Sequence, residues 1–134
     1  GLRVSIEPHA DSMATTPAAA LKLLDAVAGL EITLDWAQMV YNNVAHDAVL
    51  PLLPKTRHVQ VRQAAGGHLQ TSFDKGKIDL VRVVTDLQAA GYQGAVCIEL
   101  INTAGRYGIT AVNAILESVR LRDTLRDARD RRTS

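Results

Sequence analysis

Short runs of alternating apolar and polar residues recur four times along the chain, and each is followed by helical spacing. The runs are Leu2 to Glu7, Glu31 to Asp35, His58 to Arg62 and Ala95 to Glu99. A strand points successive side chains to opposite faces, so each run sorts into two sets. Val4, Ile6, Ile32, Leu34, Val59, Val61, Val96 and Ile98 fall on one face, which is apolar throughout. Ser5, Glu7, Thr33, Asp35, His58, Gln60, Cys97 and Glu99 fall on the other, which is polar towards the strand ends. After the first run, Pro8 to Thr15 reads as a loop. Thr16 then caps a helix with Pro17 in its first turn and Ala20, Leu21, Leu24 and Val27 on its buried stripe, ending near Gly29. After the second, Trp36 to about His46 reads as a loop, and a short helix starts at Asp47, its end limited by Pro51 and Pro54. After the third, Ala64 to Lys77 is irregular, and Asp79 caps a helix through Val83, Val84 and Leu87 that Gly91 stops. After the fourth, Asn102 to Gly108 is a loop, Thr110 caps the last helix, and Val112, Ile115, Leu116 and Val119 form its apolar face.

Strands alternating with helices of this length predict an α/β fold with a parallel sheet. A doubly wound sheet is covered by helices on both faces and needs both apolar. Here one face is polar at the strand ends, which fits the interior of a β/α barrel with chemistry at its carboxyl-end mouth. A flavodoxin-like or Rossmann-like sheet stays open as an alternative, although the first strand–helix loop lacks the glycine fingerprint of a dinucleotide site. The prediction is therefore four parallel βα units over residues 1–125, with 126–134 a polar, frayed tail. Four units leave two sheet edges and the barrel interior open. The expected partner is a complementing half-barrel, either an amino-terminal part of the same protein or another chain. Homo-oligomerisation is a further possibility, though it would set rings of carboxylates against each other.

Composition narrows the function classes. A chain of 134 residues with 47% hydrophobic content is enough for one core. Fifteen basic and fourteen acidic side chains leave a net charge of +1, so no long-range field favours nucleic acid or an anionic membrane. Asp127 and Asp130 offset the arginines between Arg126 and Arg132. No apolar run approaches the ~20 residues of a membrane span. The single cysteine, Cys97, excludes an internal disulfide, fits a reducing compartment and so a cytoplasmic location, and reads as a buried strand thiol.

The candidate chemistry lies at the strand ends. Glu7, Asp35, Gln60 and Glu99 are spaced by 28, 25 and 39 residues and share one phase. Bare carboxylates at adjacent strand ends repel, and a divalent cation offsets that repulsion. Oxygen ligands favour Mn²⁺ or Mg²⁺, with Zn²⁺ a weaker fit. Gln60 offers an amide oxygen but neither charge nor imidazole. His58, on the same face and one layer deeper, reads as a hydrogen-bonding support beneath the ring. His9, Trp36, Gln38 and Arg62 are the candidate substrate contacts: His9 just past Glu7, Trp36 as pocket wall, Gln38 as polar contact, and Arg62 above Gln60 for a polyol oxygen or a carboxylate.

Several of these segments together resemble a known family. Ile6-Glu7-Pro8-His9, Leu34-Asp35-Trp36-Ala37-Gln38, Arg57-His58-Val59-Gln60, Gly76-Lys77-Ile78-Asp79-Leu80 and Ala90-Gly91-Tyr92-Gln93-Gly94 leading into Ile98-Glu99 resemble the sugar-phosphate isomerase/epimerase-like proteins, which have the xylose-isomerase-like TIM barrel. The resemblance runs from Leu2 to about Leu125 and matches the carboxyl-terminal half of a (β/α)8 TIM barrel. It implies that Glu7, Asp35, Gln60 and Glu99 hold the metal, and that Glu7 and Glu99 are the catalytic acid/base pair. The family usually has histidine where Gln38 and Gln60 stand. The resemblance implies a divalent-metal-dependent isomerase or epimerase of a small sugar or polyol derivative, working through an ene-diolate once the barrel is complete. A catalytically degenerate sugar-binding barrel is the alternative that the two glutamines raise. A metal-dependent hydrolase or apurinic-site endonuclease would call for more imidazole ligands and a basic DNA-facing surface.

Overall fold

In the computed structural model, which describes residues 1–102 and 104–131, four strands form one parallel sheet in sequential order. They are β1 (Val4–Ile6), β2 (Leu30–Asp35), β3 (Thr56–Val61) and β4 (Val96–Ile98). Five α-helices accompany them: α1 (Pro17–Ala26), α2 (Trp36–Tyr41), α3 (His46–Val49), α4 (Leu80–Ala89) and α5 (Ala114–Asp130). The register sets Thr33 beside His58, Asp35 beside Gln60 and Gln60 beside Cys97, so the polar face is continuous across the sheet. Sequential parallel strands with helical crossovers are the arrangement of half a (β/α)8 barrel.

Burial separates the two faces as the alternation requires. Ile32, Leu34, Val59 and Val61 have no exposure and form the middle of the core with Leu24, Leu53, Val83 and Leu87 from the crossovers. On the opposite face Ser5 and Cys97 are exposed and Thr33 and His58 half-buried. Helices therefore cover one side of the sheet only. Cys97 departs from the buried thiol expected of a strand, because β4 is an edge and its inward face has no neighbour.

Local signals explain most helix ends. The Thr16 hydroxyl accepts the Ala19 N–H, Pro17 opens α1, and the Asp79 carboxylate accepts the Arg82 N–H at the start of α4. Gly91, at φ 69°, turns the chain out of α4 where a side chain would strain it. Other expectations fail. Trp36 to Tyr41 is helix, not loop, because Asp35 at the end of β2 also caps α2 by accepting the Ala37 N–H. The second crossover thus holds α2, α3 and a 3-10 turn over Leu50–Lys55 in place of one short helix. The last helix starts at Ala114, capped by Asn113 and not by Thr110, whose carbonyl is taken by the buried Gln70. That helix also continues through 126–130 with Ala128 buried, so this stretch is not frayed; residues 132–134 lie outside the described residues. Ile115, Leu116 and Val119, expected to face the core, are exposed, and Glu117 and Leu121 are buried in their place.

The loops above the carboxyl ends of the strands are tied down by buried amides. Gln63 bonds both the N–H and the carbonyl of Ile78. Its amide passes so close to Gly76 that any Cβ there would collide with it. Gln70 donates to the Ile101 and Thr110 carbonyls and accepts the Ile101 N–H, fixing the third loop to the fourth. Among the described residues no helix is long and apolar enough to cross a membrane.

Candidate metal centre

At the carboxyl ends of β1, β2 and β4 the chain brings Glu7, Asp35 and Glu99 together, with one oxygen of each within 4.8 Å of the others. Oxygen ligands bind hard divalent ions at about 2.0–2.6 Å, so oxygens around one ion stand no more than about 5 Å apart. The triad meets that limit. Gln60, in register with Asp35, adds a buried side-chain oxygen that has no hydrogen-bond partner among the described residues. A buried acceptor left unpaired costs free energy, and a cation beside it would remove the deficit. The residues present fit a divalent ion held by oxygen donors.

Electrostatics marks the same place. Burial holds the Glu7 carboxyl above the ordinary glutamate range, and the neighbouring Asp35 and Glu99 push it further; His9 and Arg62 pull the other way. Asp35 is fully buried, and that burial raises its pKa against the opposing pull of Arg62 and the Ala37 N–H. Like-charged acids gathered at one point are unfavourable without a counter-charge. Part of that counter-charge comes from the chain itself. The buried Arg62 donates from Nη2 to Asp35 Oδ2 at 2.5 Å and to Glu99 Oε2 at 2.9 Å. Its Nε and Nη1 are buried with no partner among the described residues.

The other sequence candidates divide. His9 is exposed in the first loop and near enough to Glu7 to affect its charge. His58 lies in the layer beneath, in register with Thr33. Gln38 is buried, and its amide oxygen accepts the Ala10 N–H at 3.1 Å, which pins the first loop. Trp36, expected as pocket wall, is 1% exposed and packs in the core, its ring 5.3 Å from that of His46; following Asp35, it points to the helix side of the sheet. The ion pairs of Arg62 were not foreseen. The usable signal was its phase, two residues beyond Gln60 on the carboxylate face. Nor did anything in the sequence single out Gln70 as the bridge between loops.

Comparison with known proteins places this geometry. The family profile described as xylose isomerase-like TIM barrel matches residues 1–125. The chain belongs to the xylose isomerase-like TIM barrel family. Solved structures agree in fold: an L-ribulose 3-epimerase superposes with TM-score 0.72 at 15% identity, covering 99% of this chain and 50% of that one. A D-psicose 3-epimerase in the presence of D-fructose gives 0.62 at 17% identity over 96% and 47%. A 3-keto-D-glucoside 4-epimerase from E. coli gives 0.58 at 24% identity over 95% and 45%. This member of the xylose isomerase-like family thus spans about half the length of the solved structures it matches. No curated protein sequence matches it.

Proposed function

We propose that this chain supplies the metal-binding and proton-transfer half of a divalent-metal-dependent isomerase or epimerase acting on a small sugar or polyol derivative. The reading is carried by the convergence of Glu7, Asp35 and Glu99 from three separate strand ends. It is supported by the similarity to epimerases of D-psicose, L-ribulose and a 3-keto-D-glucoside. Glu7, Asp35, Gln60 and Glu99 hold the ion, Mn²⁺ or Mg²⁺ in preference to Zn²⁺. When bound, the ion polarises a substrate carbonyl and stabilises developing negative charge on oxygen.

Glu7 and Glu99 carry the proton. One takes it from the carbon α to the carbonyl, leaving an ene-diolate, and the other returns it to the opposite face or the neighbouring carbon. The raised pKa of Glu7 suits it to a group that gains and loses a proton. Arg62, with two buried donors lacking partners, and His9, at the edge of the site, take the substrate oxygens. His58 supports the ring from below. A complementing half-barrel closes the pocket, so activity belongs to the complete protein.

Glu99→Gln tests this. In the complete protein it should abolish solvent deuterium exchange into the substrate while leaving the fold intact, as circular dichroism would show. Full exchange in that variant contradicts the assignment. A second reading, a degenerate sugar-binding barrel, is favoured by two observations: Asp35 is already engaged by Arg62, and Gln60 carries no charge. Sugar binding without any divalent requirement would identify it.

A further inference from the structure

Arg62 sits inside the carboxylate ring and not at its rim. It is 2% exposed, and its Nη2 is shared between Asp35 Oδ2 and Glu99 Oε2. The other Asp35 oxygen, Oδ1, accepts the Ala37 N–H at 2.9 Å. Both oxygens of Asp35 therefore already serve a donor. An ion entering the triad must share Asp35 with one of these donors, and at Glu99 it either displaces the guanidinium from Oε2 or binds Oε1 beside it, so two cations lie side by side in the site. Nothing else holds the guanidinium: its Nε and Nη1 are buried and have no acceptor among the described residues. Among the described residues its acceptors are the ring carboxylates alone.

Taking the metal reading above as its basis, we infer that Arg62 is a tethered cation that occupies the ring in the metal-free protein and competes with the divalent ion for Asp35 and Glu99. Three carboxylates with one guanidinium carry a net charge of about −2 when ionised, and a divalent ion alone would otherwise see −3. Arg62 thus does two opposed things. It stabilises the empty site by offsetting carboxylate repulsion, and it weakens the ion's hold on that site. A side chain with a purely structural role would not do both, because its loss would loosen the site and weaken metal binding along with the fold. Loading the ion also releases Nη2, which then joins Nε and Nη1 as a donor for substrate.

The test is a calorimetric titration of the complete protein with Mn²⁺, together with thermal unfolding in the presence of a chelator, for the wild type, Arg62→Met and Arg62→Lys. Two like charges a few ångströms apart repel strongly even at moderate effective dielectric, so Arg62→Met should bind Mn²⁺ roughly tenfold or more tightly. The same variant should melt at a lower temperature than the wild type without metal. Arg62→Lys, which keeps the charge, should stay close to the wild type in affinity. Binding by Arg62→Met where the wild type shows none supports the inference equally. Equal or weaker Mn²⁺ binding by Arg62→Met overturns it. Absence of Mn²⁺ binding in all three proteins at millimolar metal overturns the metal reading, and the inference with it. If Arg62→Met does not fold, the guanidinium N–H resonances of Arg62 in the wild type decide the matter during a Mg²⁺ titration. They should move in step with binding, and unmoved resonances in a protein that binds Mg²⁺ overturn the competition.

Discussion

The two central strands and the two edge strands carry the same alternating pattern but reach different ends. On β2 and β3 the apolar face is wholly buried: Ile32, Leu34, Val59 and Val61 show no exposure. On the edges, Val4 is 60% and Val96 36% exposed. The pattern alone sets which face a residue takes; whether that face is buried depends on what lies next to the strand. In the centre, neighbouring strands and crossover helices supply the cover. At the edges the cover would come from the other half of a barrel. The chemistry straddles this division, since Asp35 comes from a buried central strand while Glu7 and Glu99 come from the open edges.

This contrast can be broken by substitution, and the largest effects belong to the centre. Asp35→Ala leaves Arg62 buried with one partner fewer and α2 without its cap, and should cost about 3–5 kcal/mol in urea denaturation. Leu34→Ala should cost about 2–5 kcal/mol by the same measurement, through lost burial and a cavity. Val96→Ala, at the open edge, should cost less than about 1 kcal/mol in this chain. A Val96→Ala loss as large as that at Leu34 would remove the distinction between centre and edge.

Smaller effects of opposite sign should mark the ring. Glu7→Gln removes a half-buried charge that its neighbours repel, so it should stabilise the metal-free protein slightly, by less than about 1 kcal/mol after solvent screening, while weakening divalent binding. The pH dependence follows from the direction of the shift. Because the folded protein holds the Glu7 proton to higher pH than the unfolded chain does, this group's contribution falls as pH rises from the unfolded value through the raised one. Metal binding needs the ionised form and should strengthen across the same window. Chelator-treated and Mn²⁺-loaded samples melted side by side across that window should therefore diverge as pH rises. Parallel curves would contradict the placement of Glu7 in the ring.

Much of the fold was legible because strand alternation and capping are local. The four strands, the two faces, and the Thr16 and Asp79 caps depend on residues within a few positions of one another. The misreadings arose where one residue serves two structures or where the cover is not local. Asp35 ends a strand, caps a helix and joins the ring, so the loop expected after it is absent. Ile115, Leu116 and Val119 form an apolar stripe, but α5 turns Glu117 and Leu121 inward, where Glu117 accepts the Phe73 N–H. For the site, the shared phase of Glu7, Asp35, Gln60 and Glu99 could be read from alternation. The insertion of Arg62 between Asp35 and Glu99 could not, because strand phase gives a side chain's direction but not its reach.

Anomalous diffraction at the manganese edge, from crystals of the complete protein grown with Mn²⁺, addresses the central claim most directly. The account expects a single strong peak about 2.0–2.6 Å from carboxylate oxygens of Glu7, Asp35 and Glu99, with the Gln60 amide oxygen turned towards it. A map at millimolar Mn²⁺ with no peak among those residues, and Arg62 still bonded to Asp35 and Glu99, would contradict it.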